Sequence, residues 1–325
     1  MKKIKVAING FGRIGRAFFK IAKENENIEI VAVNDLGSIE SMEYLLKYDS
    51  VYGISNFNLK GIKYISEKDP AKLPWKDLDI DIVVECTGLY TATDKAQAHI
   101  DAGAKRVVIS APISDDNSPT VLMAINEDKL NSTKISSNAS CTTNAGSPLI
   151  AILDETLGIE KALLNTVHAY TASQSLVDGP NKKDGREGRG AAQNIVPSST
   201  GAAIAVTKVL PKFSGLFDGI AIRVPVSVGS IVDITFISKK NTTAEEVNEI
   251  LKKAASENRW NGIFSVTEED LVSTDIKGSK YASIADLAFT RVVGGNFVKV
   301  LAWYDNEMGY TETLVRHVIE AGKLI

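Results

Sequence analysis

Cysteine and histidine are the scarcest reactive side chains in this 325-residue chain, with two cysteines (Cys86, Cys141) and three histidines (His99, His168, His317). Two cysteines cannot build a disulfide framework over such a length, which fits a reducing, cytoplasmic compartment. None of the five lies at metal-ligand spacing, so no metal is expected. No apolar run approaches the roughly 18 residues that suggest a bilayer-spanning helix, so no membrane partner is expected. Positive charge is not in excess either. With 37 Lys and Arg against 40 Asp and Glu, the formal net charge is −3, and nucleic acid is not expected as a main partner. The first stretch gives way to glycine after only a short apolar run, and it reads as a strand rather than a signal peptide.

What is present is ordinary for a globular protein, 44% hydrophobic and 24% charged, and the length favours two domains. The expected division is 1–140 and 141–304, with a C-terminal helix at 305–325 returning to the first domain. The first 140 residues alternate buried strands (4–9, 28–34, 79–85, 106–110) with helical stretches (13–23, 42–48, 94–102). That alternation predicts an α/β fold with a Rossmann-type doubly wound parallel sheet. In the second half, strand-like runs at 163–168, 219–224, 231–237 and 297–304 are separated by fewer helices. One helix, 243–258, carries Val247, Ile250, Leu251 and Ala254 on a single face. This half reads as an α+β domain built on a mixed or antiparallel sheet. The polar, glycine-rich segment 178–190 reads as a loop, as consistent with plain solvation as with function.

Gly10, Gly12 and Gly15 match G-x-G-x-x-G directly after a strand and at the opening of a helix, within a unit of about 30 residues. Three glycines allow a tight turn and close backbone approach to a pyrophosphate at the helix N-terminus. Asp35 ends the second strand about 20 residues further on, where a carboxylate accepts from an adenosine ribose and repels a 2′-phosphate. Thr87 and Ser110 follow two further buried strands. From position alone they line a cofactor crevice or merely cap turns, and Cys86 reads as buried packing.

Cys141 sits among small polar residues (SNASCTTN) that run into a helical stretch with Pro148 near its start. A thiol at a helix N-terminus is biased toward thiolate, and a nearby imidazolium is expected to bring it well below the ordinary value of about 8.5. His168 ends an apolar strand, and His99 and His317 fall within helices. Cys141 is therefore the candidate nucleophile and His168 its acid/base.

The motifs INGFGRIGR, VND, ECTG, SAP, SNASCTTN, TVHAYT, NIVPSSTGAA, IRVPV and WYDNEMGY occur in that order. Together they resemble the phosphorylating, NAD-dependent glyceraldehyde-3-phosphate dehydrogenase family over essentially the whole chain. The resemblance implies NAD as cofactor, glyceraldehyde 3-phosphate and inorganic phosphate as substrates, and a thioester on Cys141. It implies that Arg13 and Ile14 meet the pyrophosphate, Asp35 the ribose, and Asn306 and Tyr310 the nicotinamide. Thr171 and Arg223 would hold the substrate's C3 phosphate. Ser140, Thr142, Thr200 and Gly201 would hold the attacking inorganic phosphate. A homotetramer is implied, with loop 178–190 against a neighbouring subunit. Two departures stand out: Gly185 where many relatives carry tryptophan, and VPVSVGSIVDIT where VPNVSVVDLT is usual. The alternatives are an erythrose-4-phosphate dehydrogenase on the same framework, or a non-catalytic nucleotide- or nucleic-acid-binding role.

Overall fold

A computed structural model describes residues 2–182 and 184–325, so Lys183 of loop 178–190 lies outside the described residues. The chain divides into two compact units, one running to Ser140 and including Thr311–Ile325, the other Cys141–Tyr310.

In the first unit, β1 (Ile4–Asn9), α1 (Arg13–Lys23) and β2 (Ile28–Asn34) form the opening βαβ. Next come α2 (Ile39–Lys47), a short hairpin of β3 (Tyr48–Asp49) and β4 (Gly53–Ile54), and β5 (Lys63–Ile65). Then follow β6 (Ile82–Glu85), α3 (Thr93–Asp101), β7 (Arg106–Ile109) and β8 (Ile135–Ser137). Six of these strands make a parallel sheet in the order β5-β2-β1-β6-β7-β8. This is the doubly wound Rossmann order, whose ligand crevice lies outside the strand ends where the order reverses, here between β1 and β6. Strands such as β1 and β6 are covered on both faces, which is why they read as continuous apolar runs. The strand anticipated from 79 starts only at Ile82, because Asp79 sits in a turn at φ 50°.

The second unit opens with α4 (Cys141–Thr156) and β9 (Ile159–Ala169). It continues through β10 (Val196–Ser199), α5 (Ala202–Val209), β11 (Phe217–Val224) and β12 (Ser230–Ser238). Then come α6 (Ala244–Ala255), β13 (Phe264–Thr267), β14 (Ser283–Val293), β15 (Phe297–Tyr304) and α7 (Met308–Gly322), the last crossing into the first unit. Its seven-stranded sheet, β10-β11-β9-β12-β15-β14-β13, is mixed: β9 runs parallel to β11 but antiparallel to β12. Helix α4 packs on β9, β12, β14 and β15. Along β9, Ala162, Leu164, Thr166 and His168 are buried, while Leu163 between them is 65% exposed. The strand therefore has one covered face and one bare apolar face.

Candidate active site

The two-residue period of β9 places His168 on the same covered face as Thr166, and α4 lies over that strand with Cys141 as its first residue. The result is a Cys141 Sγ to His168 Nε2 distance of 3.3 Å. Strand register does the rest. Arg223 on β11 is the in-register partner of His168, and its Nη1 lies 2.6 Å from His168 Nδ1. That same Nδ1 is 2.7 Å from the Ala169 carbonyl oxygen. Thiol, imidazole and guanidinium form a continuous line.

Both titratable partners are pushed toward neutrality. Burial, then the adjacent Arg223 charge, lowers the His168 pKa to about 3. Burial raises the Cys141 thiol, with Arg223 and hydrogen bonds at Thr142 opposing the shift. This corrects the expectation of a thiol lowered by an imidazolium. Desolvation disfavours the charged form of each group.

Tyr304 beneath the pair was not anticipated. Its hydroxyl lies 2.9 Å from the Thr142 hydroxyl and 2.8 Å from that of Thr166. Its ring meets the His168 ring edge-on at 5.9 Å. In the sequence it looked like one more strand aromatic. Ser230 was missed as well: its hydroxyl accepts from the Ala169 N–H at 3.1 Å and donates to Asn306 Oδ1 at 3.0 Å. Asn306 Oδ1 also accepts from the Gly229 N–H, so two donors fix the amide oxygen.

Among the expected anion-binding residues, Arg223 is half-buried and its Nε is buried with no partner among the described residues. The Thr171 hydroxyl lies 3.1 Å from that of Ser173. Thr200 accepts from the Ala202 N–H, and Gly201 precedes the first turn of α5. The Thr142 hydroxyl faces Tyr304, and Ser140 is the residue before the nucleophile. Loop 178–190 is internally bonded, with Asp178 accepting from the Gly190 N–H and from Arg189 Nε.

In the first unit, Gly10 adopts φ 93°, and a Cβ there would lie 2.7 Å from the Thr87 nitrogen. A Cβ on Gly15 would meet the Gly10 carbonyl oxygen at 2.2 Å. Gly12 differs, since a Cβ on it would meet nothing within 4 Å. It is the N-cap of α1 and supplies no side-chain cap, and no acidic residue lies in the first turn. A helix start without a side-chain cap or an acidic residue is suited to an anion. Asp35 accepts from the Phe11 N–H at 2.7 Å and the Gly37 N–H at 2.8 Å, bonds that fix its carboxylate. The Arg13 guanidinium is paired with Asp49 at 3.2 Å. Thr87 bonds Glu85 through its N–H at 2.7 Å and through its hydroxyl, and Ser110 donates to the Glu85 carbonyl at 2.9 Å. Both hydroxyls thus cap turns in this structure. No group of three or more His, Cys, Asp or Glu among the described residues is arranged to hold a metal.

Comparison with known proteins identifies the family. The family model described as "Glyceraldehyde 3-phosphate dehydrogenase, NAD binding domain" matches residues 4–93, and the corresponding C-terminal domain model matches residues 140–306. The glyceraldehyde-3-phosphate dehydrogenase of Buchnera aphidicola subsp. Schizaphis graminum is 49% identical over 323 residues, covering 96% of this chain and 97% of its own length. That of Clostridium pasteurianum is 46% identical, covering 96% of each chain. That of Salmonella typhimurium is 46% identical, covering 97% of this chain and 99% of its own. With both parts matched and relatives this similar over nearly the full length, the chain belongs to the glyceraldehyde-3-phosphate dehydrogenase family.

Proposed function

We propose that this protein is an NAD-dependent, phosphorylating dehydrogenase that converts glyceraldehyde 3-phosphate to 1,3-bisphosphoglycerate through a thioester on Cys141. The observation that carries the reading is the Cys141 Sγ–His168 Nε2 contact at 3.3 Å, backed by Arg223. Cys141 attacks the aldehyde carbon, and the resulting oxyanion takes up the thiol's proton by way of His168. The hydroxyl of this thiohemiacetal then loses its proton to His168 Nε2 while the carbon loses hydride. NAD, when bound, supplies the two-electron acceptor for that hydride. The product is a thioester, and inorganic phosphate attacks it to release the acyl phosphate and return the thiol.

The chain's own residues divide this work. Arg223, with a buried Nε lacking a partner, and Thr171 receive the C3 phosphate. A charged bidentate donor suits a dianion. Ser140, Thr142, Thr200 and Gly201 receive inorganic phosphate. The open N-cap at Gly12 fits a pyrophosphate, held by Gly10, Gly12, Gly15 and the backbone N–H groups of Arg13 and Ile14, since the Arg13 guanidinium is engaged by Asp49. Asp35 receives the ribose, Thr87 and Ser110 border the cofactor, and Asn306 and Tyr310 orient the nicotinamide. Assembly is a homotetramer. Leu163, Ile220 and Phe297 on one sheet face are 65%, 54% and 49% exposed, apolar side chains that a neighbouring subunit would cover. The enzyme works in the cytoplasm, where its thiol stays reduced; no helix of the described residues is long and apolar enough to cross a membrane.

The test is formation of NADH from NAD, or of NADPH from NADP, with glyceraldehyde 3-phosphate, with and without inorganic phosphate. Sustained turnover with NAD that requires phosphate is expected. Equal turnover without phosphate, or preference for erythrose 4-phosphate, would refute the reading.

A further inference from the structure

Both oxygens of Asp35 are held by backbone N–H groups, Oδ2 by that of Phe11 at 2.7 Å and Oδ1 by that of Gly37 at 2.8 Å. The two donors stand in different settings. Phe11 is fully buried, whereas Gly37 lies in the turn between β2 and α2, next to Leu36, which is 63% exposed. A surface turn of this kind moves unless something outside it ties it down. The tie comes from β5, the edge strand of the sheet. Tyr64 is the in-register partner of Val33 on β2. Its hydroxyl reaches past the end of that strand and donates to the Gly37 carbonyl oxygen at 2.6 Å, with the Asp35 carbonyl oxygen 3.4 Å away. The backbone adds one bond, from the Asp35 N–H to the Ile65 carbonyl at 3.1 Å. Gly37 is also closely packed, since a Cβ on it would collide with Met42 Cε and lie 3.3 Å from Asp35 Oδ1.

We infer that Tyr64 is a positioning residue that sets cofactor specificity: its hydroxyl pins Gly37, and the Gly37 N–H in turn keeps the Asp35 carboxylate from turning away from a 2′-phosphate. The inference rests on Asp35 being the residue that receives the adenosine ribose. A carboxylate rejects a second anion only as far as it is prevented from swinging aside, because an unheld side chain relieves the repulsion by rotating about its own bonds. Held at both oxygens, Asp35 has no such release, and it meets a ribose hydroxyl without first having to be ordered. The turn and the helix after it offer a 2′-phosphate nothing in exchange. Residues 35–46 carry Asp35, Glu40 and Glu43 and no lysine or arginine. Tyr64 is also suited to a lasting donor role. Burial, then the Asp35 and Glu40 charges, pushes its phenol up to about 12, so the hydroxyl keeps its proton throughout the range in which such an enzyme works. Tyr64 stands 27 residues from Gly37 in the chain and reaches it only through the pairing of β5 with β2.

The experiment measures binding rather than turnover. Dissociation constants for NAD and NADP are determined by titration calorimetry on the full chain, for the wild type, Tyr64→Phe, Asp35→Ala and the double variant. Tyr64→Phe keeps the ring and removes only the hydroxyl. The wild type is expected to prefer NAD, and Tyr64→Phe to narrow that preference roughly 3-fold, the worth of one hydrogen bond and a part of what Asp35→Ala removes. In the Asp35→Ala background Tyr64→Phe has nothing left to position and leaves the ratio of the two constants where it is. A general loosening of the fold would not produce that coupling. An unchanged ratio in Tyr64→Phe alone overturns the inference. So does an equal narrowing with and without Asp35, which would make the effect of the hydroxyl independent of the carboxylate. A wild type that binds NADP as tightly as NAD fails earlier, at the ribose reading of Asp35 itself, and takes the role of Tyr64 with it.

Discussion

His99 and His168 are both buried, at 0% and 3% exposure, yet a carboxylate faces the first and a guanidinium the second. At His99, the Trp75 indole N–H donates to Nδ1 at 3.1 Å, and Nε2 faces the Glu85 carboxylate at 3.1 Å. Asn9 Nδ2 lies 3.5 Å from the same Nε2. Glu85 in turn collects Asn9 Nδ2 at 2.6 Å and the Thr87 N–H at 2.7 Å. The strand ends of the first unit are thus a settled network, and what remains open there is backbone at Gly12. At His168, Nδ1 lies 2.7 Å from the Ala169 carbonyl oxygen and 2.6 Å from Arg223 Nη1, which also donates to that oxygen, and Arg223 Nε is buried with no partner among the described residues. The cofactor side is pre-organised by satisfied groups, and the catalytic side holds unresolved demands that a ligand can answer. That division is the usual one between a scaffold and a working site.

The cysteines give the largest contrast between the two regions. Cys141→Ser is expected to lower turnover by roughly 10⁴-fold or more, as loss of a nucleophile does, with NAD binding kept. Cys86→Ser should be close to wild type, because burial and the Glu85 charge push the Cys86 thiol up to about 12 and leave it unreactive. Steady-state rates and NAD titrations of both variants check this. Comparable losses from the two would erase the distinction. For the histidines, His168→Asn should lower kcat by roughly 10²–10⁴-fold. His99→Gln should instead act on stability, by about 1–3 kcal/mol for a disturbed buried bond, with kcat little changed. A large kcat effect at His99 would mean that the settled network takes part in chemistry.

The two regions also differ in how legible they were. The fingerprint from Gly10 to Gly15 and its flanking strands follow from sequence because their chemistry is backbone geometry and their burial is two-sided. The mixed sheet was seen only where alternation was clean, at β9, β11, β12 and β15. β14 escaped because its ladder shifts register between Asp286 and Arg291, which breaks the two-residue period. β10 and β13 are only four residues each. Cys141 and His168 were evident as residue types at helix and strand ends. Their protonation was not, since Arg223 stands 55 residues from His168 and reaches it only through strand pairing. Ala139, at φ 57° just before the nucleophile, carries no glycine to announce its backbone.

Asp35 sharpens the cofactor side. Wild type should prefer NAD over NADP, and Asp35→Ala should narrow that preference by roughly tenfold, the scale of a lost charged hydrogen bond. Paired kcat/KM values decide it, and a wild type that uses NADP equally well would contradict the pre-organised ribose site. The last effect is on acid stability. Burial lowers His317 from 6.5 to about 3, so its contribution is intact above pH 6.5 and is lost as pH falls from there toward 3. Within that window unfolding free energy should drop by about 1.4 kcal/mol per pH unit for each such histidine. Denaturant melts across pH should show a shallower slope for His317→Leu, and an unchanged slope would mean that His317 is not buried neutral.

The central claim is an acyl group carried on Cys141. The direct measurement is intact-protein and peptide mass spectrometry after mixing enzyme, NAD and glyceraldehyde 3-phosphate without inorganic phosphate, with NADH recorded in parallel. The account predicts one phosphoglyceryl thioester on the Cys141 peptide for each NADH formed, discharged when phosphate is added. NADH formed without an adduct, or an adduct on Cys86, would contradict it.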